Sequence, residues 1–493
     1  MALSTRPGVY VSEAPLPRVI ANPNTTEALG GFIGTAFRGP TSPEFVTSWS
    51  DFVSKFGSFT STGTLPYALY QFFTNGGGNA YVSRVLSSDA FAANKTYTPA
   101  PTRLSFTAIT KGAWGNALTI ETAMGADNTT FTLAVRELYR GVDVVVEQFR
   151  DLSMVRTNPR YVVNIINSLT IGSQYITVTD LLKNDAVLTA WGNTVMASGT
   201  DGVAAITAAD YGASFDMFED IPANFVFNLP GVADVSTIVS KISGTNGRQD
   251  SIIVTDTAEN QIATMAGASL PTTSYSAVYY PWIWISDPSP DAVRGGIKKV
   301  PPGASVVGMI VRTDKSRGVF KAPAGVSATL TGAVASETRL TNAQLDALAA
   351  MNVNVTRPIP GSGITAMGAR TRAFGTTDQY ISVRRTINYV KRRASDVSRF
   401  ALFEPNTPSL WEQLRVVNGA FLSELWSVGG LSGRDFSQAF YVKCDGENNS
   451  PATIAAGEVH IEIGIAPAFP AEFVIIRIGQ FESDASTVIS EEI

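Results

Sequence analysis

The stretch Phe473-Val474-Ile475-Ile476-Arg477-Ile478-Gly479-Gln480-Phe481 has no face built for water. Read as a strand, it puts Phe473, Ile475, Arg477 and Phe481 on one side and Val474, Ile476 and Ile478 on the other, so it needs cover on both. A free edge this apolar, near a chain end, would recruit other strands indiscriminately, so the fold must supply it with neighbours. Those neighbours need not come from the same chain. The residues before it supply part of a frame. Pro408-Ser409-Leu410-Trp411 opens a predicted helix in which Trp411, Leu414, Val417, Phe421, Leu422, Leu425 and Trp426 recur every three or four positions, and Gly429-Gly430 ends it. Alternation over 439–444 and 457–465 then predicts two strands, with breaks at Pro467 and Pro470.

The opposite end of the chain is also not self-sufficient. Prolines at 7, 15, 17 and 23 forbid a helix over residues 1–27 and leave one short strand, Gly8-Val9-Tyr10-Val11. This segment is an arm, and about 12 extended residues at roughly 3.3 Å each reach some 40 Å. Residues 28–93 predict a strand over 29–37, helices over 50–56 and 65–75 with Gly76-Gly77-Gly78 as a stop, and a strand over 80–86. A proline-bearing linker at 94–101 marks a boundary. Strand-rich runs at 117–123, 129–139, 142–149 and 175–179, with Arg140-Gly141 as a turn, predict a β-sandwich insertion over 94–200. Residues 201–370 alternate instead. Apolar strands at 223–229, 250–255, 275–285 and 305–310 are separated by predicted helices near 232–243, 257–267 and 288–298, and a helix over 341–351 follows, which means a parallel α/β sheet covered on both faces. A C-terminal domain over 371–482 and an acidic tail over 483–493 complete the division.

Little in the chain carries chemistry. A serine hydrolase on the α/β region needs a proton shuttle near neutral pH, yet the one histidine, His460, lies in the C-terminal domain and reads as a structural strand residue. One histidine and one cysteine, Cys444, cannot form the usual zinc sets, and a single thiol on a strand reads as a small apolar side chain. No P-loop occurs, and the glycines of 361–368 are misplaced for a dinucleotide loop. No catalytic, cofactor or metal residue is therefore assigned. Hydrophobic residues at 44% and a net charge of -5 describe a globular chain with no direct nucleic-acid role, and no apolar run is long enough for stable membrane insertion. One charge cluster stands out. Between 370 and 399 eight basic residues face two acidic ones, and Arg384, Arg385, Lys391, Arg392 and Arg393 are expected to meet an acidic surface from a helix whose inward side carries Ile387, Val390 and Val397.

Several stretches together resemble one family. Arg6-Pro7-Gly8-Val9-Tyr10-Val11-Ser12-Glu13, Gly30-Gly31-Phe32-Ile33-Gly34-Thr35-Ala36, the run from Asn75 to Val85, Gly112-Ala113-Trp114-Gly115-Asn116, Arg317 to Gly325, Phe403-Glu404-Pro405-Asn406, Leu410-Trp411 and Pro470-Ala471-Glu472-Phe473-Val474 follow the order found in contractile phage tail sheath proteins and related injection-system sheaths. The resemblance implies an α+β multidomain chain. It has a C-terminal α/β sheath core domain completed by the N-terminal segment, 28–93, with an inserted subtilisin-like α/β domain and a β-sandwich domain. It implies a non-enzymatic structural subunit without cofactors that polymerises as stacked, hexameric rings around an inner tail tube protein, and that meets baseplate and tail terminator proteins. Such a subunit belongs to a virion tail assembled in the host cytoplasm, or to a phage-derived extracellular injection particle. Gly8, Val9, Tyr10 and Val11, and Phe473, Val474, Ile475, Ile476, Arg477, Ile478 and Phe481, are then the expected inter-subunit exchange strands, and the basic cluster the expected contact with the tube. A hydrolase and another capsid or fibre protein are the less favoured readings.

Overall fold

The computed structural model describes residues 28–60, 63–97, 104–139, 141–183, 185–186, 192–202, 205–244, 247–290, 292, 295–472, 479–480 and 489–490. Its centre is an eight-stranded sheet in the order Gly363–Ala366, Val353–Ile359, Ser276–Tyr280, Ile252–Asp256, Phe225–Asn228, Leu29–Gly34, Ala80–Arg84, Glu44–Val46. The inner strands run parallel and the two edge strands antiparallel. Every residue of Leu29–Gly34, Phe225–Asn228, Ile252–Asp256 and Ser276–Tyr280 is buried, as continuous apolar runs require when both faces are covered. Val226, Ile252 and Val254 face one layer, with the helices Leu65–Thr74 and Gly303–Arg317. Phe225, Phe227 and Ile253 face the other, with Ala208–Asp216 and Ser236–Ser243.

The structure corrects several expectations. Residues 28–93 do not complete the C-terminal domain: Leu29–Gly34 lies between Phe225–Asn228 and Ala80–Arg84 in the α/β sheet itself. The reason is cover. Phe32 points into one helical layer and Leu29 and Ile33 into the other, and Gly31 is what lets Phe227 lie flat against the strand, since a Cβ there would stand 2.4 Å from the Phe227 ring. Residues 305–310, expected as a strand, belong to the helix Gly303–Arg317, the stretch 257–267 forms turns rather than a helix, and the described residues of 288–298 include the start of a short strand, Ile297–Val300. The run at 275–285 is divided at Pro281, which has no N–H for a ladder, into Ser276–Tyr280 and Ile283–Ser286. The second piece pairs in a small sheet with Ile297–Val300 and Ala333–Ser336.

One polar joint holds the centre together. Asp256 ends its strand wholly buried and accepts the Gly303 N–H at the start of the helix Gly303–Arg317, at 2.7 Å, and the Asn228 Nδ2, at 3.1 Å. Burial pushes its carboxyl up to about 6, against the opposing pull of those donors.

The insertion carries two antiparallel sheets over a shared core. Thr194–Val195, Leu118–Met124, Phe131–Tyr139 and Val142–Leu152 form one, and Asn94–Tyr97, Leu104–Ala108 and Ile176–Asp180 the other. Leu104, Phe106, Trp114, Ile120, Leu133 and Val178 pack between them. Residues 94–97, expected as linker, are thus a strand. Arg84 fastens this insertion to the central sheet. It is buried, donating Nε to the Ala36 carbonyl, Nη1 to that of Lys111 and Nη2 to Asp201 at 3.0 Å, and its burial pulls the guanidinium down to about 10 against the attraction of Asp201.

Candidate assembly site

The C-terminal unit begins on the helix Ile381–Val397, whose two halves face different things. Ile381, Ser382, Val383, Arg384, Arg385, Thr386 and Asn388 are buried against the α/β body, where Asn388 Nδ2 donates to the Ser251 carbonyl at 3.2 Å. The second half carries Val390, Ala394 and Val397 onto the helix Pro408–Ser427. Arg384 and Arg385 are therefore not surface residues, which corrects their expected place in the basic patch. Arg384 pairs with Asp378 at 3.0 Å and lies over the Tyr275 ring at 4.6 Å, and Arg385 makes a two-pronged ion pair with Asp314 on the helix Gly303–Arg317. A guanidinium desolvated by its own chain with its carboxylate in place has nothing left for a partner. Lys391 is exposed, Arg392 is partly buried and pairs with Asp396 at 3.0 Å, and Arg393 is partly buried. Asp396 also holds Arg399.

Of the predicted stripe Pro408–Ser427 buries Trp411, Leu414, Phe421, Leu422 and Leu425 and leaves Val417 and Trp426 half-buried, and it buries Leu410 as well. It also buries Asn418, which apolar periodicity does not find: Nδ2 donates to Ser398 Oγ at 3.0 Å and joins the two helices. Asn406 ties its motif, Phe403-Glu404-Pro405-Asn406, to Leu410-Trp411. Its Oδ1 accepts Trp411 Nε1 at 2.7 Å and its Nδ2 reaches the Glu458 carbonyl at 2.9 Å, tying the helix start to the chain leading into the last strand. Phe403 beside it is fully exposed at φ +66°, a conformation bulky residues rarely adopt. Cys444 is buried, which raises its thiol pKa, and His460 is exposed with Nε2 3.0 Å from Glu458, ahead of the strand rather than in it.

On this helical pair lies a sheet of only two strands, Phe440–Lys443 and Glu462–Ile465, antiparallel with Phe440 opposite Ile465. Phe440, Val442, Ile463 and Ile465 face the helices. Among the described residues the outer edge of each strand has no ladder partner. An isolated strand pair is marginal in water, and an unpaired edge is a template for another strand.

Both chain ends leave the body near this unit. Glu472, the last described residue before 479, is held by Arg370 through Nε and Nη2, each at 2.8 Å, and by the Tyr380 hydroxyl at 3.1 Å. Burial and the Glu472 carboxylate push the Tyr380 phenol up. Phe469 meets the Tyr380 ring edge-on. Ala28, the first described residue, lines a crevice with Val319, Arg385, Asn388 and Tyr389. The helix Ile381–Val397 thus stands beside both exits. Of the expected exchange residues, Gly8, Val9, Tyr10, Val11, Phe473, Val474, Ile475, Ile476, Arg477, Ile478 and Phe481 lie outside the described residues. Gly479–Gln480 is described as pairing with Ile489–Ser490, within the segment expected as a tail.

Residues 376–481 match the family model described as the phage tail sheath C-terminal domain. Part of this chain is similar to phage tail sheath proteins. It is 26% identical over 188 residues to the tail sheath protein of Vibrio phage KVP40, covering 38% of this chain, and 25% identical over 180 residues to that of Enterobacteria phage T4, covering 36%. The match spans about a quarter of the length of those two proteins, 27% and 26%. Solved sheaths share the fold over nearly the whole chain. The contracted sheath of an extracellular contractile injection system, PVC, superposes with a TM-score of 0.58 at 21% identity over 98% of this chain and 99% of that one. The sheath tail protein Lin1278 of Listeria innocua gives 0.63 at 14% identity over 90% and 95%. The tail sheath match begins at residue 376, so it takes in the helix Ile381–Val397, its partner helix and the open strand pair as one block.

Proposed function

We propose that this chain is the subunit of a contractile sheath that polymerises helically around an inner tube and shortens, using energy stored in the extended assembly, to drive the tube through a cell envelope. The observation that carries this is the open strand pair Phe440–Lys443 and Glu462–Ile465, with an edge unpaired on each side among the described residues and both ends of the described chain nearby. Residues 8–11 and 473–481 of neighbouring subunits would fill those edges, adding main-chain hydrogen bonds in a head-to-tail and therefore open-ended lattice. In this reading the central sheet is the subtilisin-like domain and the insertion a β-sandwich. The role is mechanical rather than enzymatic, and the subunit works in a tail or an injection particle alongside tube, baseplate and terminator proteins. Lys391, Arg392 and Arg393 supply weak contacts to the tube, each worth about 0 to 1 kcal/mol, which a sheath that must release its tube requires.

Negative-stain electron microscopy of the purified chain at high concentration tests the reading. Hollow striated cylinders are expected from the full chain, and folded monomers from a chain lacking residues 1–20. Cylinders from both would refute strand exchange through the arm, and a full chain that stays monomeric with tube and baseplate present would refute the sheath itself.

A further inference from the structure

Beside the C-terminal exit lies a groove of about 470 Å³ with no role in the reading above. Phe320, Tyr380 and Phe469 supply aromatic walls, Ala322, Ala324 and Ala471 leave room between them, and Phe469 is 55% exposed although most of its surroundings are apolar. Its far wall, residues 468–472, is the chain held by Arg370 and Tyr380 through Glu472. We propose that this groove seats the chain's own segment Ala14-Pro15-Leu16-Pro17-Arg18-Val19-Ile20.

Three observations select that occupant. The first is position. Ala28 shares a crevice with Val319, and the groove starts at the next residue, Phe320. Seven residues lie between Ile20 and Ala28, and those eight steps span up to about 26 Å at roughly 3.3 Å per residue, which is chain enough to fold back toward the groove. The second is chemistry. Pro15 and Pro17 flank Leu16, and proline-bearing segments fit aromatic-lined grooves because their fixed φ lowers the entropy lost on docking. The third is charge. Lys321 lines the groove, its ammonium reaching the Ala322 carbonyl at 3.3 Å, and Glu13 stands next to the segment with the opposite sign.

A seated segment shortens the free arm to the residues before it, which include 8–11, and starts that arm from a fixed point. It also couples the two chain ends, because the seat of one is walled by the root of the other. The inference rests on the sheath reading only for this use. The seat itself is tested on dilute, unassembled full chain, so its failure leaves that reading untouched.

Hydrogen exchange of the full chain should show the amides of Leu16, Arg18, Val19 and Ile20 protected about 10-fold or more relative to those of residues 2–6. Phe469→Asp should remove that protection. Equal exchange in the two segments, or protection unchanged in Phe469→Asp, would overturn the proposal. A second measurement is independent of the stability of that variant: Leu16→Cys paired with Ala471→Cys should form an intrachain disulfide under mild oxidation, while Ala2→Cys with Ala471→Cys should not. Cross-links only between chains would assign the groove to the arm of a second copy and overturn the seat within one chain.

Discussion

Strand Ser276–Tyr280 is buried at every residue, whereas strand Phe440–Lys443 is fully buried at none. The first has a strand on each side and a helical layer on each face. The second has, among the described residues, one neighbour and one layer. The two regions use the same residue types, so hydrophobicity does not separate them; what separates them is how much of the cover comes from the same chain. The α/β body is a finished object. The C-terminal unit is left open among the described residues, and its helix Ile381–Val397 is where the two meet, one half inside the body and the other outside it.

The strongest way to break this contrast is at that helix. Arg385→Ala strips the partner from Asp314, a carboxylate whose side chain is 5% exposed, and should cost about 3 to 5 kcal/mol in urea unfolding. A loss under 1 kcal/mol would mean that the helix is not docked into the body as described. The body alone is sharpened by pH. The Asp256 carboxyl is raised from 3.8 to about 6, so the folded state holds its proton longer than the unfolded chain does. Its contribution is then most favourable below pH 3.8, falls as pH rises to about 6, and is flat above, a change of about 3 kcal/mol at 1.36 kcal/mol per pH unit. Asp256→Asn removes this dependence, so the stability difference between the variant and the parent should grow in the variant's favour between pH 4 and 6; a difference that does not change with pH would sink the assignment. The smallest effect on folding is expected outside. Lys391→Glu, Arg392→Glu and Arg393→Glu together should shift stability by only about 1 kcal/mol. Cylinder formation should survive and co-sedimentation with tube should be lost, and unchanged co-sedimentation would reject the tube contact.

Legibility followed the same division. The helix Pro408–Ser427 and its buried stripe could be read from spacing because one face is wet, and a half-buried helix writes its period into the sequence. The stretch 305–310 could not, since Val306, Val307, Met309 and Ile310 are all buried, and a short run that is apolar all round has no period to read. Arg384 and Arg385 were misplaced for a related reason. Asp314, the partner of Arg385, stands 71 positions away on another helix, where a local count of charge does not register it, and Asp378, 6 positions from Arg384, is in the count, but a count does not say which charges pair or how deeply. The pairing of Leu29–Gly34 with Phe225–Asn228 was equally hidden, because nearly 200 residues, among them the whole insertion, lie between the two strands. Asn406 and Asn418 act through one hydrogen bond or two at fixed positions, which hydropathy does not record.

The open strand pair has a consequence in stoichiometry. In the proposed exchange each subunit would offer the two edges left unpaired among the described residues and lend residues 8–11 and 473–481 to its neighbours, so donors and acceptors would balance inside such a lattice. They cannot balance at its ends. The first ring would be left with vacant edges or idle strands, and the last ring with the complement. A filament of this kind has two chemically different ends that no number of its own subunits can close, and its length is then set by whichever proteins terminate each one.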